Sequence, residues 1–270
     1  MVRTFKTSDG LSIAYRIDDF TDPWLNADTL ILKHAAMGSM KRMYAWVPTL
    51  ARHFRVVRMD MRGHGRTAIP PADGLTLDRL SQDVVELMDE VGVERAHVAG
   101  SSAGGIIAMW TAVSRPARVK TLAAYATIPG LKMSAGHTDY QGWIRAMRSE
   151  GVEGFLRRTA ADRFDLDAVD PGFLDWFIGE AARNDVEMLV RMVTLMSSTD
   201  FSERMADISC PSLMVVPGGD PNQSADEYDV LKQIPDCTFK VYDGLPHNIT
   251  DAVPERCAAD LRDFLLAKGN

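Results

Sequence analysis

Between residues 96 and 110 the chain runs from a short apolar stretch, Ala96-His97-Val98-Ala99, through Gly100-Ser101-Ser102-Ala103-Gly104 into Gly105-Ile106-Ile107-Ala108-Met109-Trp110. A strand-length apolar run, a turn of small residues and a helix-forming run leave few ways to fold. The chain has to leave a buried strand, reverse sharply and enter a helix that packs back against that strand. The G-x-S-x-G spacing suits this path, because a bulky side chain at 100 or 104 would strike the returning helix. It also forces Ser102 into a strained backbone conformation. Strain of that kind holds the Ser102 hydroxyl out over the end of a sheet, while the next N–H, that of Ala103, points at the same space. Small residues gather in ordinary loops too, so the pattern gains its weight from the strand before it and the helix after it.

The surrounding pattern is an alternation of strands and helices. Leu11 to Ile17 alternates apolar and polar residues, as a half-buried strand does. Thr29-Leu30-Ile31-Leu32-Lys33 and Phe54-Arg55-Val56-Val57-Arg58-Met59 are short apolar runs that suit strands covered on both faces. Leu80, Val84, Leu87, Met88 and Val91 recur at helical spacing, with Thr76 as the N-cap and Gly92 as the stop. Val119 to Ala126 is a further strand, and the alternation implies a mostly parallel sheet with helices on both faces. After Pro129-Gly130 the pattern changes, and residues 131–207 read as helical with turn signals at Gly151, Asp170-Pro171-Gly172 and Asn184. Strands resume at Pro211 to Val216 and Thr238 to Tyr242, followed by a closing helix from Ala252 to Lys268. The expected organisation is therefore a core of residues 1–130 and 208–270 with a helical lid, 131–207, over the carboxyl ends of the strands, where ligands of such sheets bind.

Composition narrows the function classes. A net charge of −7 and no basic stripe interleaved with aromatics argue against nucleic acid as a partner. No apolar run is long enough to span a bilayer, and Met1 to Lys6 lacks the apolar core of a signal peptide. Cys210, Cys237 and Cys257 are odd in number and widely spaced, as reduced thiols of a cytoplasmic protein would be, and suggest neither a disulfide framework nor a metal site. A small molecule is the expected partner, and the oligomeric state stays open, a homo-oligomer included.

A serine nucleophile requires a base within hydrogen-bond reach, and that base requires an acceptor that fixes its tautomer. Of the six histidines, His247 lies in Gly244-Leu245-Pro246-His247-Asn248, between the last strand and the last helix and so at the same sheet edge as Ser102. His53 ends a helix, His97 lies in a strand, His137 in the lid and His64 in a glycine-flanked turn. The acid belongs after the strand at 212–216, where Pro217-Gly218-Gly219-Asp220-Pro221 places Asp220 on a turn at the strand's carboxyl end. Gly-Asp-Pro is ordinary turn chemistry, and its position relative to Ser102 and His247 is what favours a catalytic reading. Ala126-Thr127-Ile128-Pro129, at the end of the preceding strand, offers no carboxylate.

With these residues in place the chain resembles the α/β-hydrolase superfamily from end to end, and most closely the 3-oxoadipate enol-lactonases and related esterases. The resemblance is carried by His34-Ala35-Ala36-Met37-Gly38, Asp60-Met61-Arg62-Gly63-His64-Gly65, Gly100 to Gly105, Gly218-Gly219-Asp220 and His247. It implies Ser102 as nucleophile, His247 as general base and acid, and Asp220 as the orienting carboxylate. It also implies an oxyanion hole made by the backbone N–H groups of Ala36 and Ala103, and no cofactor. Position 102 is neither Asp nor Cys, which argues against the haloalkane dehalogenases, epoxide hydrolases and dienelactone hydrolases of this fold. Two departures stand out. Ala35 replaces the usual glycine after the histidine, so a methyl group narrows the approach to the oxyanion site. Ser101 precedes the nucleophile where bulkier residues are common, which predicts a roomier pocket there.

Met188, Met192 and Met196 recur every four residues and share one helix face, which packs the lid on the body and walls the pocket at once. Met37 and Met40 add a soft apolar surface beside the oxyanion loop, and Ile128 and Trp143 are further wall candidates. An enol-lactonase would need a cation for its substrate's carboxylate. Arg145, Arg148, Arg157, Arg158, Arg183 and Arg191 are available in the lid, and the sequence does not distinguish an inward-facing one from a solvated face. The expected activity is cofactor-free hydrolysis of a small, largely apolar ester or lactone through an acyl-enzyme on Ser102. Carbon–carbon bond hydrolysis uses the same residues. The alternatives outside hydrolysis are a cofactor-free oxygenase that uses the His247–Asp220 pair as a base, and a hydrolase-like small-molecule receptor.

Overall fold

The structure, a computed structural model, describes residues 1–268. Their strands form one eight-stranded sheet. In chain order these are β1 (Arg3–Lys6), β2 (Ser12–Asp18), β3 (Thr29–Lys33), β4 (Arg55–Met59), β5 (Ala96–Ser101), β6 (Val119–Tyr125), β7 (Ser212–Pro217) and β8 (Cys237–Tyr242). Their order across the sheet is β1-β2-β4-β3-β5-β6-β7-β8. The first hairpin and the β2–β4 pair are antiparallel, and all pairs from β4 to β8 are parallel. The alternation between strands and helices had implied a mostly parallel sheet, and this is one. The short β1 was not expected.

The helices in chain order are α1 (Val47–Leu50), α2 (Leu77–Glu90), α3 (Ala103–Ser114), α4 (Tyr140–Arg158), α5 (Pro171–Ala181), α6 (Val186–Ser198), α7 (Ala225–Tyr228), α8 (Ile249–Ala252) and α9 (Pro254–Lys268). Alternation within β3 shows how the sheet is covered. Ile31 packs into one apolar cluster with Val84 and Leu87 of α2 and Ile106 and Ile107 of α3. Its neighbours Leu30 and Leu32 pack into the opposite one with Trp46, Leu50 and Leu261 and Phe264 of α9. Burial on that scale is worth roughly 1.5–3 kcal/mol per large aliphatic side chain, so a one-residue slip of β3 would misplace its whole apolar set. Thr76 caps α2 through its hydroxyl, which accepts from the Arg79 N–H at 3.1 Å. That helix ends where Gly92 takes φ +75° and the Val93 N–H returns to the Met88 carbonyl at 2.9 Å. The closing helix is in two pieces, because Pro254 has no N–H to continue α8 and starts α9 instead.

Between β6 and β7 lies a helical excursion, α4 to α6, with no strand among the described residues. It has an apolar core of its own, including Tyr140, Met147, Phe155, Phe164, Phe177, Leu189 and Val193. Its α4 bends at Gly151, which takes φ +71° inside the helix. The turn from α5 to α6 is tied to the body by Asn184. Its side-chain oxygen accepts from the Gly65 N–H at 3.0 Å, and its amide donates to the Gly38 carbonyl at 3.4 Å and to the Ala181 carbonyl at 3.0 Å.

Candidate active site

Ser102 stands between β5 and α3 with φ +50° and ψ −120°, a conformation that L side chains rarely adopt. Its neighbours allow it. A Cβ at Gly100 would overlap the Gly104 carbonyl, and one at Gly104 would come within 2.5 Å of the His34 carbonyl oxygen. Both glycines are therefore required by close backbone approach rather than by flexibility. The Ser102 N–H donates to the Tyr125 carbonyl at 2.9 Å, and the Ser102 carbonyl accepts from the Ile106 N–H and the Thr127 hydroxyl, each at 3.0 Å. Ser101, expected to enlarge the pocket, does not reach it. Alternation along the strand turns Ser101 inward, and its hydroxyl meets that of Thr250 at 2.9 Å.

His247, on the loop between β8 and α8, brings its Nε2 to 3.2 Å from the Ser102 hydroxyl oxygen. Its Nδ1 lies 2.7 Å from Oδ2 of Asp220, whose side chain is fully buried on the loop after β7. Asp220 also accepts from the Asn222 N–H at 2.9 Å on Oδ1 and from the Tyr228 hydroxyl at 2.5 Å on Oδ2. Burial alone would raise the Asp220 pKa. The neighbouring His247, together with the hydrogen bonds from His247, Tyr228 and the Asn222 N–H, outweighs burial and holds it below the ordinary carboxylate value. The carboxylate thus stays ionised, accepts the Nδ1 proton and leaves Nε2 free to accept from Ser102.

Ala36 and Ala103 both line the same cleft. Ala103 begins α3, where an N–H has no partner inside its helix. The Ala35–Ala36 peptide is oriented by His34, whose Nε2 accepts from the Met61 N–H at 3.0 Å, so that Nδ1 carries the proton and donates it to the Ala35 carbonyl at 2.8 Å. In a trans peptide the Ala36 N–H then points the opposite way. His64 supports the next peptide, with Nε2 2.5 Å from the Ala36 carbonyl oxygen. Burial holds the pKa of both imidazoles below the ordinary histidine value. The methyl of Ala35 lies on the cleft wall.

The expected wall residues divide. Met37 and Trp143 line the cleft, together with Leu131, Tyr140, Phe177, Val193 and Met196. Ile128, Met188 and Met192 do not line it but are buried in the core. Met188 is drawn away because it packs onto Gly63, where a Cβ would overlap its side chain. Helical spacing had identified the right face, and only its last member, Met196, reaches the cleft.

The arginines expected between residues 131 and 207 resolve in the same way. Arg145, Arg148, Arg157, Arg158 and Arg183 pair with Asp139, Glu187, Glu153 and Asp175, Glu150, and Glu180 at the surface. Arg191 donates to the carbonyls of Pro70 and Pro71. The arginines on the cleft wall are Arg42 and Arg163, and sequence reasoning singled out neither. Arg42 is neutralised by a fork to Asp251, with Nε 2.9 Å from Oδ1 and a second bond to Oδ2, and stacks over Phe177 at 4.2 Å. Tyr228, Asn222 and Gln223 were also missed. Their contacts with Asp220 and with one another lie within eight residues of chain, in the turn after β7 and the start of α7.

Comparison with known proteins agrees with this architecture. A family model described as "alpha/beta hydrolase fold" matches residues 28–175, more than half of the chain. The chain is 26% identical over 209 residues to 3-oxoadipate enol-lactonase 1 of Acinetobacter baylyi, covering 73% of this chain and 75% of that protein. Among solved structures, a hydrolase from Pseudomonas aeruginosa superposes with a TM-score of 0.83 at 28% identity, covering 98% of both chains. The enol-lactonase from Burkholderia xenovorans superposes with a TM-score of 0.87 at 21% identity, covering 98% of this chain and 100% of that one, and shares its fold.

Proposed function

The chain belongs to the alpha/beta hydrolase fold family, and on that premise we propose that it is a cofactor-free serine hydrolase of small, largely apolar esters or lactones. The observation that carries this reading is the relay of Ser102, His247 and Asp220, with separations of 3.2 and 2.7 Å at the mouth of an apolar cleft. His247 Nε2 takes the hydroxyl proton as Ser102 Oγ attacks the carbonyl carbon of the substrate. The negative charge that develops on the carbonyl oxygen is held by the N–H groups of Ala36 and Ala103, fixed in place before the reaction starts. His247 then returns the proton to the leaving oxygen, and the carbon–oxygen bond breaks to leave an acyl group on Ser102. Water, deprotonated by His247, attacks that acyl group and releases the acid with Ser102 restored. Asp220 keeps its charge throughout and stabilises the imidazolium.

In this reading residues 131–207 are a cap over the cleft, with Trp143, Phe177, Val193 and Met196 as its apolar walls. Turnover in ¹⁸O-labelled water tests the chemistry. Hydrolysis places one heavy oxygen in the released acid. An oxygen drawn from O₂ instead, or a reaction that stops without air, overturns the reading.

A further inference from the structure

Arg42 belongs to two surfaces at once. It lines the cleft that holds Ser102 and His247, and it also lines a second groove, outside that cleft. At Arg42 the partition between them is therefore a single side chain thick. Beside it the partition is aromatic, with Phe177 on the cleft side and Phe164 on the groove side, their ring centres 4.9 Å apart and edge to face. Three contacts fix Arg42 in this place. Its guanidinium forks to Asp251 on α8, it stacks on Phe177 of α5, and its stem packs so closely on Gly38 that a Cβ there would lie 2.8 Å from Arg42 Cδ. The Arg42 and Asp251 side chains are both buried and neutralise each other. A buried pair of this kind adds little net stability over apolar side chains of similar volume, so folding alone does not account for it.

The two volumes give the pair another role. The cleft has a free volume of about 70 Å³. An apolar cavity that takes a benzene ring needs about 150 Å³, so the cleft has room for roughly three carbon atoms. The groove behind Arg42 has about 340 Å³ and is lined by Phe164, Val169, Phe173, Leu245 and Val253. Asp165, Asp170 and Glu255 also line it and are exposed, so the groove repels an anionic tail and suits a neutral alkyl chain. Leu245 and Pro246 of the groove immediately precede His247, which brings it to the reactive end of the cleft. We infer that Arg42, held by Asp251, sets the chain length the site accepts: it ends the cleft after a short chain, and the groove behind it takes a longer neutral alkyl chain only when that side chain is removed. The inference deepens the hydrolase reading above and rests on it for turnover, while the partition is also testable by binding alone.

The test compares short and long chains on each side of the scissile bond: p-nitrophenyl butanoate and octanoate for the acyl side, butyl and octyl acetate for the alkoxy side. The ketones 2-pentanone and 2-nonanone serve as ligands that cannot be cleaved. The wild-type protein should favour the short member in the series whose chain meets Arg42. Arg42 and Asp251 are replaced together, because either one alone would be a buried, unpaired charge. In Arg42→Ala/Asp251→Ala the long-to-short ratio of kcat/KM in that series should rise by roughly 10²-fold, about fourfold for each added methylene. The series that responds identifies the side of the substrate that enters the groove. Arg42→Met/Asp251→Leu keeps the partition filled and should keep the wild-type ratios. 2-Nonanone should raise the Tm of the double-alanine variant more than 2-pentanone does, and should not do so in the wild-type protein. If no ester turns over but the ketones follow this pattern, the hydrolase reading fails and the partition stands. If the esters turn over and neither ratio changes in the double-alanine variant, the partition fails and the hydrolase reading stands. Should that variant not fold, the wild-type profile decides: preference for the short member in one series supports the partition, and its absence from both overturns it.

Discussion

Tyr228→Phe isolates the hydrogen bond that the sequence pattern did not suggest. The phenol is 2% exposed and donates to Asp220 Oδ2 at 2.5 Å, on the same oxygen that faces His247. Phenylalanine keeps the ring and removes the hydroxyl, which also lies 2.8 Å from Gln223 Oε1. Because the Asp220 side chain is fully buried, water does not replace the lost bond, and a hydrogen bond to a charged group is worth about 1.5–3 kcal/mol. For a chain of this size the expected fall in Tm is about 3–12 °C. The carboxylate, short of one donor, also orients His247 less firmly, so kcat/KM should fall. The Asp220 pKa is depressed in the folded chain, so its stabilising contribution is present above the unfolded value, about 4, and disappears as pH falls through the folded one. Less depression in Tyr228→Phe therefore brings acid unfolding to a higher pH. Differential scanning calorimetry over a pH series and kcat/KM for any ester that turns over measure all three effects. A lowered Tm with an unchanged kcat/KM would refute the coupling to His247, and a Tm and kcat/KM that match the wild type would refute the bond's importance altogether.

A fluorophosphonate should label Ser102 alone, and Ser102→Ala should stay folded and unlabelled; label that persists, or that maps to Ser101, removes Ser102 as nucleophile. Asp220→Asn should lower kcat by about 10⁴-fold through the wrong imidazole tautomer, whereas a loss of only a few-fold would mean that another carboxylate serves. Burial holds the His97 pKa at about 4, below its unfolded value of about 6.5, so its contribution to stability is complete above that value and is lost as pH falls toward 4. The urea midpoint should accordingly drop between pH 7 and pH 5, and by less in His97→Gln; equal drops in the two proteins would refute the assignment.

What could be read from the sequence was what depends on near neighbours. The glycines at 100 and 104 are demanded by contacts within a few residues of Ser102 or with the adjoining strand, so their spacing carries the turn by itself. The order of Ser102, Asp220 and His247 follows from which strand each one succeeds, and the fold brings them to one edge. The four-residue β1 has a single buried residue, Phe5, and too little alternation to stand out. Periodicity put Met188, Met192 and Met196 on one face, but the neighbour that Met188 meets, the Gly63 turn, is distant in sequence. Arg163 could not be told from Arg157 and Arg158, five or six residues earlier. Its difference arises from Thr159, Phe155 and Trp143, which converge only in the folded excursion.

Asn184 links the helices above the cleft to the Gly38 and Gly65 loops, through one hydrogen bond to each. Gly38 lies two residues beyond Ala36, whose N–H is proposed above to hold the reacting oxygen. Any opening that lifts α5 and α6 from the sheet must break these bonds and release the segment that holds that N–H in place. Admission of substrate and readiness for chemistry are then opposed states of a single latch. In the proposed reaction the site would be assembled only with the latch shut, which makes reclosure, rather than bond breaking, a candidate for the slowest step of turnover.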